Sequence, residues 1–509
     1  MQTDPSIRNP EPAPMTELYT PDQVARLDQA AIRAGLPGEV LMDRAGRRLW
    51  REIRRRWPEA RRLVVVCGGG NNGGDGYVVA RLAARAGLAV EVLHRVPPER
   101  LGGDAARHAQ RYLEGGGVCR PFDAAALAEA DVIVDALLGT GLDRPVSGAF
   151  AEAVAAINAA PAPVAAVDIP SGIHGRTGAE MGVAVRAQVT ATFVARKSGL
   201  FTGRGPACSG AVVFDDLGTG ALVAGSESPH TRQVTAADRA ALLPPRPRDA
   251  HKGHYGHVLV VGGDAGMAGA VRLAAEAAAR CGAGLVSVAT RPEHVPVVVG
   301  ACPAVMAHGV TDAQELAPLL ERASVVAIGP GLGQDPWGQA MWAACRDVVR
   351  PRVVDADGLN LLAVDGQPVT DAVLTPHPGE AVRLLGPGWD TAAIAADRFA
   401  AVRALATQWQ AVALLKGAGS LVDDGASRYL AGTGTPGMAS GGMGDVLTGV
   451  VAGLRAQRPD ADPAWLAAVA AEVHGRAGER AAEALGGERG LLASDLLGWL
   501  PAVLAEEPA

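Results

Sequence analysis

The chain has 509 residues, of which 48% are hydrophobic and 20% charged, and its formal net charge is -7. This length exceeds what one ordinary core supports, so two or more domains are expected. The apolar content is typical of a globular protein. The acidic balance argues against a nucleic-acid-binding protein, whose binding face is normally basic. The lack of a run of 18 apolar residues argues against a membrane protein.

The cysteines and the N-terminus indicate the compartment. The six cysteines are scattered without a C-x-x-C pair or a Cys/His cluster, so we expect buried free thiols in a reducing environment. Residues 1–15 lack the basic and apolar regions of a signal peptide and are predicted to form a flexible tail. The sequence therefore predicts a cytoplasmic enzyme that acts on small molecules, without nucleic-acid or membrane partners, and that forms a homo-oligomer.

The first predicted element is a helix that begins after Thr20. Thr20 is suited to be its N-cap, Pro21 its first residue, and Gln23 the partner in a capping box. Apolar strand-like runs and helical patterns then alternate, which indicates a parallel sheet covered by helices on both faces. The predicted strands are RLVVV, LAVEVLH, DVIVDALL and PVAAVDIP, and the predicted helices lie around 77–86, 103–114 and 148–159.

A polar stretch at about 223–238 interrupts this alternation and is interpreted as a domain boundary. The second series has the strand-like runs HVLVVGG, GLVSVAT, SVVAIGPG, RVVDAD, AVLTPHPGE and AVALLKGAG, with helices at 268–281 and 337–349. The prediction is an α/β protein of two domains. A Rossmann-like three-layer domain with a parallel sheet at 16–224 is joined by a linker at 225–236 to a second α/β domain at 237–509.

A glycine-rich segment follows the first predicted strand. Gly68, Gly70 and Gly73 satisfy G-x-G-x-x-G, and Glu91 lies downstream where a ribose-binding acid would stand. An NAD-dependent dehydrogenase is the simplest interpretation of that pattern. The segment NNGGDG, at 71–76, nevertheless places two amides and a carboxylate in a turn where an ordinary fingerprint keeps small apolar residues.

Oxygen-bearing side chains also follow the third and fourth predicted strands, and ligands of such sheets bind at the carboxyl ends of the strands. Asn72, Asp135 and Ser171 offer only oxygen ligands, which suits an alkali or a hard divalent cation better than zinc. The alternative is that the asparagines are turn formers and that Asp168 is a helix cap. The convergence of three strand ends favours a ligand site.

Four motifs of this half, GGGNNGGDG, DALLGTGLDRPVSG, DIPSG and KSGL, resemble the NAD(P)H-hydrate epimerase domain across residues 15–225. The resemblance implies interconversion of the R and S forms of 6-hydroxy-tetrahydro-NAD(P)H, with Asp168 binding the substrate as its acid/base. It also implies potassium held by Asn72, Asp135 and Ser171. Lys197 would line the same site, with a surface lysine as the alternative. The other substrate contacts that the resemblance implies are Asn71, Asn72, Gly73, Gly74, Asp75, Gly139, Thr140, Gly141, Leu142, Asp143, Arg144 and Pro145.

The strongest signal of the second half is GTPGMASGGMGDVLTGVVAGL, at 434–454. Its glycine-rich turn leads into an apolar helix near Asp445. Free amide groups at that helix start would stabilise a phosphoryl group, and Asp445 could accept a proton from an attacking hydroxyl. An N-cap aspartate is the alternative, but it does not explain the glycines that precede it. The Walker A pattern G-x-x-x-x-G-K-[ST] does not occur in the chain.

Together with LLKGAGS, TPHPGEAVRLLG, IGPGLGQD and DADGLNLL, this loop resembles the ribokinase-like, ADP-dependent NAD(P)H-hydrate dehydratase domain over 235–505. The resemblance implies that ADP phosphorylates the C6 hydroxyl of the S hydrate, with Mg²⁺ assisting. Elimination then gives NAD(P)H, AMP and phosphate. The implied nucleotide contacts are Lys416, Gly417, Ala418, Gly419, Ser420 and Gly444. The implied hydrate contacts are Ala270, Gly331, His377 and Asp445, with Asp445 as the base.

Three positions depart from the dehydratase pattern, with Thr435 in place of Asn and with Ser420 and Ser440 in place of Thr. The serines keep a hydroxyl group, whereas Thr435 could change the rigidity of the loop. Two other functions stay open. One is a ribokinase-like vitamin or sugar kinase fused to a nucleotide-sensing Rossmann-like module. The other is a binding protein whose first half is catalytically inert, and the intact set of oxygen-bearing strand ends argues against it.

Overall fold

The computed structural model describes residues 16–507, so the predicted flexible tail at 1–15 lies outside the described residues. Two compact units divide the chain, one at Glu17–Thr231 and the other from Arg232 onward.

The N-terminal unit consists of strands and helices that mostly alternate along the chain. They are β1 (Thr16–Tyr19), α1 (Pro21–Arg33), α2 (Gly38–Arg56), β2 (Arg62–Cys67), α3 (Asn71–Arg85), β3 (Ala89–His94), α4 (Gly103–Glu114), β4 (Val118–Pro121), β5 (Val132–Ala136), α5 (Gly148–Ala159), β6 (Val164–Val167), β7 (Val189–Phe193), β8 (Arg196–Lys197), α6 (Gly205–Ser209), β9 (Ala211–Asp215) and α7 (Gly220–Val223). The cap predicted for the first helix is present, since Thr20 and Gln23 form a capping box at the start of α1.

Seven of these strands form a parallel sheet in the order β4-β3-β2-β5-β6-β7-β9. Successive residues of a strand point to opposite faces. Val65 packs in one core with Leu49 of α2, whereas Val64 packs in a second core with Val154 of α5. Helices therefore cover both faces of the sheet, and the predicted Rossmann-like three-layer fold is confirmed.

The segment NNGGDG is helical and not the turn that the sequence predicts. Helix α3 begins at Asn71, six residues before the predicted start at 77. A Cβ atom at Gly73 would lie 2.3 Å from the Gly68 carbonyl oxygen, and one at Gly76 would lie 2.6 Å from the Cβ of Ala136. The glycines thus allow the first turns of the helix to pack closely against the ends of β2 and β5.

The second unit alternates strands and helices as far as the strand Ala372–Leu374 and then continues with groups of three helices, three strands and three helices. Its elements are β10 (Thr231–Gln233), α8 (Ala236–Leu242), β11 (His257–Val261), α9 (Ala268–Arg280), β12 (Leu285–Thr290), α10 (Val295–Ala301), β13 (Met306–Gly309), α11 (Ala313–Arg322), β14 (Val325–Ile328), α12 (Pro336–Arg346), β15 (Arg352–Val354), α13 (Ala356–Asp365), β16 (Ala372–Leu374), α14 (Pro378–Leu385), α15 (Thr391–Ala396), α16 (Arg398–Trp409), β17 (Val412–Leu415), β18 (Ser420–Asp423), β19 (Arg428–Ala431), α17 (Met443–Gln457), α18 (Pro463–Leu485) and α19 (Ala493–Ala505).

The sheet of this unit runs β13-β12-β11-β14-β15-β16-β17-β18-β19-β10. The pairs from β13 to β17 are parallel, β17-β18 and β18-β19 are antiparallel, and β10, which lies inside the predicted linker, joins β19 in parallel. Helix α17 packs tightly on α9, because a Cβ atom at Gly449 would lie 2.1 Å from the Ala274 carbonyl oxygen. The predicted α/β class with a mainly parallel sheet is confirmed for this unit as well.

Two sequence predictions concern the whole chain. All six cysteines are free, and Cys67, Cys208, Cys281 and Cys345 are buried. Within residues 16–507, no helix combines the length and the apolar character needed to cross a bilayer.

Candidate active sites

A cavity of about 790 Å³ opens at the carboxyl ends of β2, β5 and β6 in the N-terminal unit. The predicted substrate contacts in its wall are Asn71, Asn72, Asp75, Gly139, Thr140, Gly141, Leu142, Asp143, Arg144, Pro145 and Asp168. Gly73 and Gly74 lie behind this wall, since Cβ atoms there would contact the Gly68 carbonyl oxygen and the Met42 sulfur. Their direct contact with substrate stays a prediction, and packing explains why they are glycines.

Asp168 follows β6 and adopts a φ of 62°, a left-handed conformation that aspartate tolerates better than most residues. Its Oδ1 accepts hydrogen bonds from the backbone N–H of Phe193 at 3.2 Å and from the Lys197 Nζ at 2.5 Å. The helix-cap alternative is therefore wrong, because the carboxylate turns toward β7 and β8. Its conformation and its partners fix the Asp168 carboxylate at the cavity.

Lys197 is buried, with 1% of its surface exposed, so the alternative of a surface lysine is wrong. Strand β8 pairs in parallel with β1 in a register that places Lys197 opposite Tyr19. The Nζ atom also donates to the Phe193 carbonyl oxygen at 2.7 Å. The ammonium group thus lies in the cavity wall and compensates the charge of Asp168 there.

Four further carboxyl groups line this cavity, those of Asp28 on α1, Asp75 on α3, Asp104 on α4 and Asp143 in the loop after β5. The pKa of Asp28 is raised to about 6, mainly by burial; Lys197 opposes the rise and the Asp168 charge adds to it. Burial also raises the pKa of Asp75 well above its ordinary value, and the charges of Asp168 and Asp28 add to that rise. The cavity therefore combines an ion pair with two carboxyl groups that hold protons more strongly than usual.

Asn72, Asp135 and Ser171, the predicted ligands of a cation, come together beside the Leu138 backbone. The Ser171 Oγ donates to the Asp135 Oδ1 at 2.6 Å, and the Leu138 N–H donates to the Ser171 Oγ at 2.8 Å. The Asn72 Nδ2 donates to the Leu138 carbonyl oxygen at 3.0 Å. Within residues 16–507, no lysine or arginine forms an ion pair with the fully buried Asp135. Burial raises its pKa to about 6.

Glu91 does not take the place of a ribose-binding acid. It lies within β3 and forms ion pairs with Arg120 and, at 3.9 Å, with Arg62. Both partners are surface arginines on neighbouring strands. The dehydrogenase interpretation therefore keeps only the glycine pattern, because Glu91 no longer supports it.

In the second unit, Lys416 and Asp355 form the centre of the candidate site. The Lys416 Nζ lies 2.8 Å from the Asp355 Oδ1 and 3.6 Å from the Glu380 Oε2. Burial opposes the charge of Lys416, but Asp355 and Glu380 raise its pKa above the ordinary value. The Thr448 Oγ1, on α17, donates to the Asp355 Oδ2 at 2.8 Å. Asp355 thus joins the lysine that follows β17 to the helix that carries Asp445.

Gly444 and Asp445 occupy the first turn of α17, whose N-cap is Gly442 at a φ of 85°. The N-cap alternative for Asp445 is therefore wrong. A Cβ atom at Gly444 would lie 3.2 Å from the Lys416 Nζ, so glycine lets the lysine approach the helix start. Burial raises the pKa of Asp445 to about 7; the Asp355 charge adds to the rise and Lys416 opposes it. This carboxyl group is suited to exchange protons near neutral pH.

The remaining predicted contacts form two groups. His377 caps α14, where its Nδ1 accepts from the Gly379 N–H at 2.9 Å, and its Nε2 lies 3.5 Å from the Glu380 Oε1. The side chain is 52% exposed and connects through Glu380 to Lys416. Ala270 and Gly331 lie side by side, since a Cβ atom at Gly331 would be 3.2 Å from that of Ala270.

The predicted nucleotide loop, residues 416–420, leaves β17 and enters β18. Gly417 adopts a φ of 144°, which favours glycine, and a Cβ atom there would lie 2.9 Å from the Arg398 Nη1. The Arg398 Nη2 donates to the carbonyl oxygens of Leu415 and Lys416 at 3.2 and 3.3 Å. Ser420 donates back to the Gly417 carbonyl oxygen at 3.1 Å, so the loop is closed on itself.

Four residues of these sites have no assigned role in the sequence analysis: Asp28, Asp355, Arg398 and Thr448. Asp355 lies in the predicted strand-like run RVVDAD and is the first residue after β15, a strand-end position that could have identified it. The other three lie within helices, where nothing in the sequence separates them from ordinary polar residues.

Two family models match the chain, one for each unit. The model described as "YjeF-related protein N-terminus" matches residues 38–199. The model described as "NAD(P)H-hydrate dehydratase" matches residues 258–501. The matches fall within the two units that the contacts define.

Full-length relatives are closely similar. The bifunctional NAD(P)H-hydrate repair enzyme Nnr of Coxiella burnetii is 47% identical over 95% of this chain and 98% of its own. The enzyme of the same name from Escherichia coli is 41% identical over 98% of this chain and 96% of its own. Among solved structures, the ADP/ATP-dependent NAD(P)H-hydrate dehydratase of Bacillus subtilis, co-crystallised with ATP/Mg²⁺, is 28% identical with a TM-score of 0.47. It covers 54% of this chain and 98% of that one. With such identity to full-length relatives, the chain belongs to the family of bifunctional NAD(P)H-hydrate repair enzymes.

Proposed function

We propose that the chain repairs hydrated nicotinamide coenzymes. The N-terminal unit interconverts the R and S hydrates of NADH and NADPH, and the second unit dehydrates the S hydrate with ADP as phosphoryl donor, releasing AMP and phosphate. The observation that carries the proposal is the high identity to full-length relatives, 47% over 95% of the chain. The division of the contacts at Thr231 and Arg232 supports a domain boundary within the linker, 225–236.

Asp168 is the proposed acid/base of the epimerase. Epimerisation at C6 breaks the C–O bond, and the ring nitrogen stabilises the resulting iminium-like cation until water adds again. A carboxyl group beside the reacting carbon can donate the proton that leaves with water and accept one from the water that returns. Asp168 is suited to this because Lys197 and the Phe193 N–H hold its carboxylate in one orientation.

Potassium fits the cluster of Asn72, Asp135 and Ser171. The donors are carboxylate, hydroxyl and amide oxygens together with the Leu138 carbonyl oxygen, and the single carboxylate matches a single positive charge. When bound, potassium would supply the missing countercharge of Asp135. These ligands would then hold the loop 138–145, which forms one wall of the cavity.

Asp445 is the proposed base of the phosphoryl transfer. It would accept the proton of the C6 hydroxyl while Lys416 and the amide groups at the start of α17 bind the phosphates of ADP. Phosphorylation turns hydroxide, a poor leaving group, into phosphate. Within residues 16–507, no cluster of three histidine, cysteine, aspartate or glutamate side chains is arranged to hold a metal. We therefore propose that Mg²⁺ arrives with the nucleotide phosphates, as it often does.

One assay tests both halves of the proposal. The protein is incubated with mixed R and S hydrates, with and without ADP, and NADH absorbance is followed. Conversion of both epimers supports the full proposal, whereas consumption of the S form alone would remove the epimerase role. No recovery of NADH with ADP would remove the dehydratase role. We expect Asp445→Asn to abolish recovery but keep epimerisation, and Asp168→Ala to do the reverse.

The free cysteines support a reducing compartment, and we propose that the enzyme acts in the cytoplasm as a homo-oligomer. Light scattering on a size-exclusion column measures the mass of the particle, and a monomer at assay concentration would contradict the second part.

A further inference from the structure

One face of α1 lines the cavity of the N-terminal unit. Ala25, Asp28, Gln29 and Ile32 border the cavity, and their spacing of three, four and seven residues places them on one side of a helix. Leu27 and Ala31 are buried in the core, and the buried Val24 also borders the cavity. Asp28 is the only acidic residue among those that α1 contributes to the cavity wall.

The Asp28 carboxyl group is held differently from that of Asp168. Within the described residues 16–507, no hydrogen bond or ion pair involves the Asp28 side chain. Asp168, in contrast, receives the Lys197 ammonium at 2.5 Å and two further donors. A carboxyl group without partners in a partly buried cavity carries an unfavourable charge. Burial accordingly raises the pKa of Asp28 to about 6, although Lys197 opposes the change.

Inversion at C6 places a requirement on both faces of the ring. The hydroxyl departs from one face after it has received a proton, and the ring nitrogen supplies the electron pair that stabilises the cation. A water molecule then adds from the other face and loses a proton. In the forward direction the group on the first face is the acid and the group on the second face is the base, and the roles exchange in reverse. A single carboxyl group can serve only the face on which it lies.

We infer that Asp28 is a second catalytic residue of the epimerase and that it serves the face of C6 opposite to Asp168. The inference rests on the proposed function of the N-terminal unit. The geometry behind it is that α1 and the end of β6 each contribute a carboxyl group to a cavity that Asp75, Asp104 and Asp143 also line, and that Asp168 is held by three donors whereas Asp28 is not. In one direction Asp28 donates a proton to the departing hydroxyl and Asp168 takes one from the incoming water. The turnover leaves Asp28 ionised and Asp168 protonated, and the starting state returns when the two groups exchange protons with solvent water or when the opposite epimer reacts in the reverse direction.

Solvent oxygen exchange tests the inference. Each purified epimer is incubated in ¹⁸O-labelled water without ADP, and mass spectrometry follows both label at C6 and inversion, with the uncatalysed rates subtracted. We expect the wild type to label and invert both epimers. Asp28→Asn should slow inversion by about 10²- to 10⁴-fold. It should still label one epimer without inversion, because Asp168 can release and return water on its own face. Asp168→Asn should label only the other epimer.

Two further variants complete the test. Asp28→Glu keeps a carboxyl group and should recover part of the inversion rate. The control is Asp22→Asn. Asp22 is exposed on the same helix outside the cavity, so this variant should behave as the wild type. Inversion at the wild-type rate by Asp28→Asn would overturn the inference. An equal loss of labelling and inversion for both epimers would also overturn it, because that pattern indicates a structural role. Wild-type inversion without label would exclude the route through water loss. No inversion by the wild type would instead remove the proposed function.

Discussion

The proton affinity of Asp445 leads to a specific prediction for the dehydratase. If Asp445 is the base, only its ionised form is active, and the rate must fall as the pH drops through its pKa. That pKa lies at about 7, because the carboxyl group is buried and because Asp355 repels its charge. Roughly a tenth of the enzyme is active at pH 6 and roughly a hundredth at pH 5. An ordinary aspartate would be ionised at both values.

The fall in rate with decreasing pH forms the acidic limb of the pH profile. The substitution Asp355→Asn should move this limb to lower pH. It removes the like charge that raises the pKa of Asp445, and it releases Lys416 from its 2.8 Å ion pair. Both changes favour the ionised form of Asp445, so they act in the same direction. A neighbouring charge is worth about one to three pKa units, which places the new limb at about pH 4 to 6. Burial of Asp445 persists and keeps the limb above the ordinary value.

The assay is the initial rate of NADH formation from the purified S hydrate and ADP, with both substrates well below their KM. Under this condition the profile reports the ionisation of the free enzyme. The position of the limb comes from the shape of the profile, so a lower overall rate of the variant does not affect it. Asp347→Asn is the matched control, since that aspartate is 72% exposed and pairs with Arg346 on the surface. Its limb should coincide with that of the wild type.

Two results would refute this reasoning. A wild-type profile that is flat between about pH 5 and 8 would mean that no group with the pKa of Asp445 limits the reaction. A limb that stays in place or rises in Asp355→Asn would mean that Asp355 does not act on the base. The first result would remove Asp445 as the base, and the second would remove Asp355 as a cause of its raised pKa.

Two other predictions concern packing and the cation. Gly449→Ala should lower the stability of the second unit by about 1–3 kcal/mol or more, because its Cβ would lie 2.1 Å from a carbonyl oxygen of α9. The control is Gly498→Ala, which has no atom within 4 Å of the new Cβ and should leave the thermal stability unchanged or raise it. An equal loss of stability in both variants would contradict the packing argument. Replacing potassium by tetramethylammonium should lower epimerisation about tenfold or more without affecting dehydration. Asp135→Asn should remove that response, and a wild-type rate indifferent to the cation would exclude the potassium site.

The strand ends were predictable from the sequence because of a simple property of parallel sheets. Apolar runs identify the strands, and the residues that follow them meet at one edge. Asp135 and Asp168 were found in this way, and the structure places Asp168 in the cavity and Asp135 in the adjacent cluster. The start of α3 was predicted too late because glycine has a low helix propensity, and close packing against Gly68 overrides that preference.

Helical site residues could not be predicted in the same way. Asp28 stands in an amphipathic helix with other polar residues, and only the packing of α1 determines that it turns toward the cavity. Thr448 bonds to Asp355 across 93 positions of the chain, a contact that depends on how α17 crosses the sheet. Such contacts follow from tertiary packing, which local patterns do not encode.

Each compact unit carries the proposed residues of one site within its own part of a single polypeptide. Under the proposed function, translation therefore produces the two activities in a fixed one-to-one stoichiometry. Regulated expression cannot make one activity abundant and the other scarce. The steady-state concentration of each hydrate must then depend on the ratio of the two catalytic efficiencies and on the supply of ADP. Selection can change the balance between the two activities only through their rate constants, because gene dosage changes both activities together.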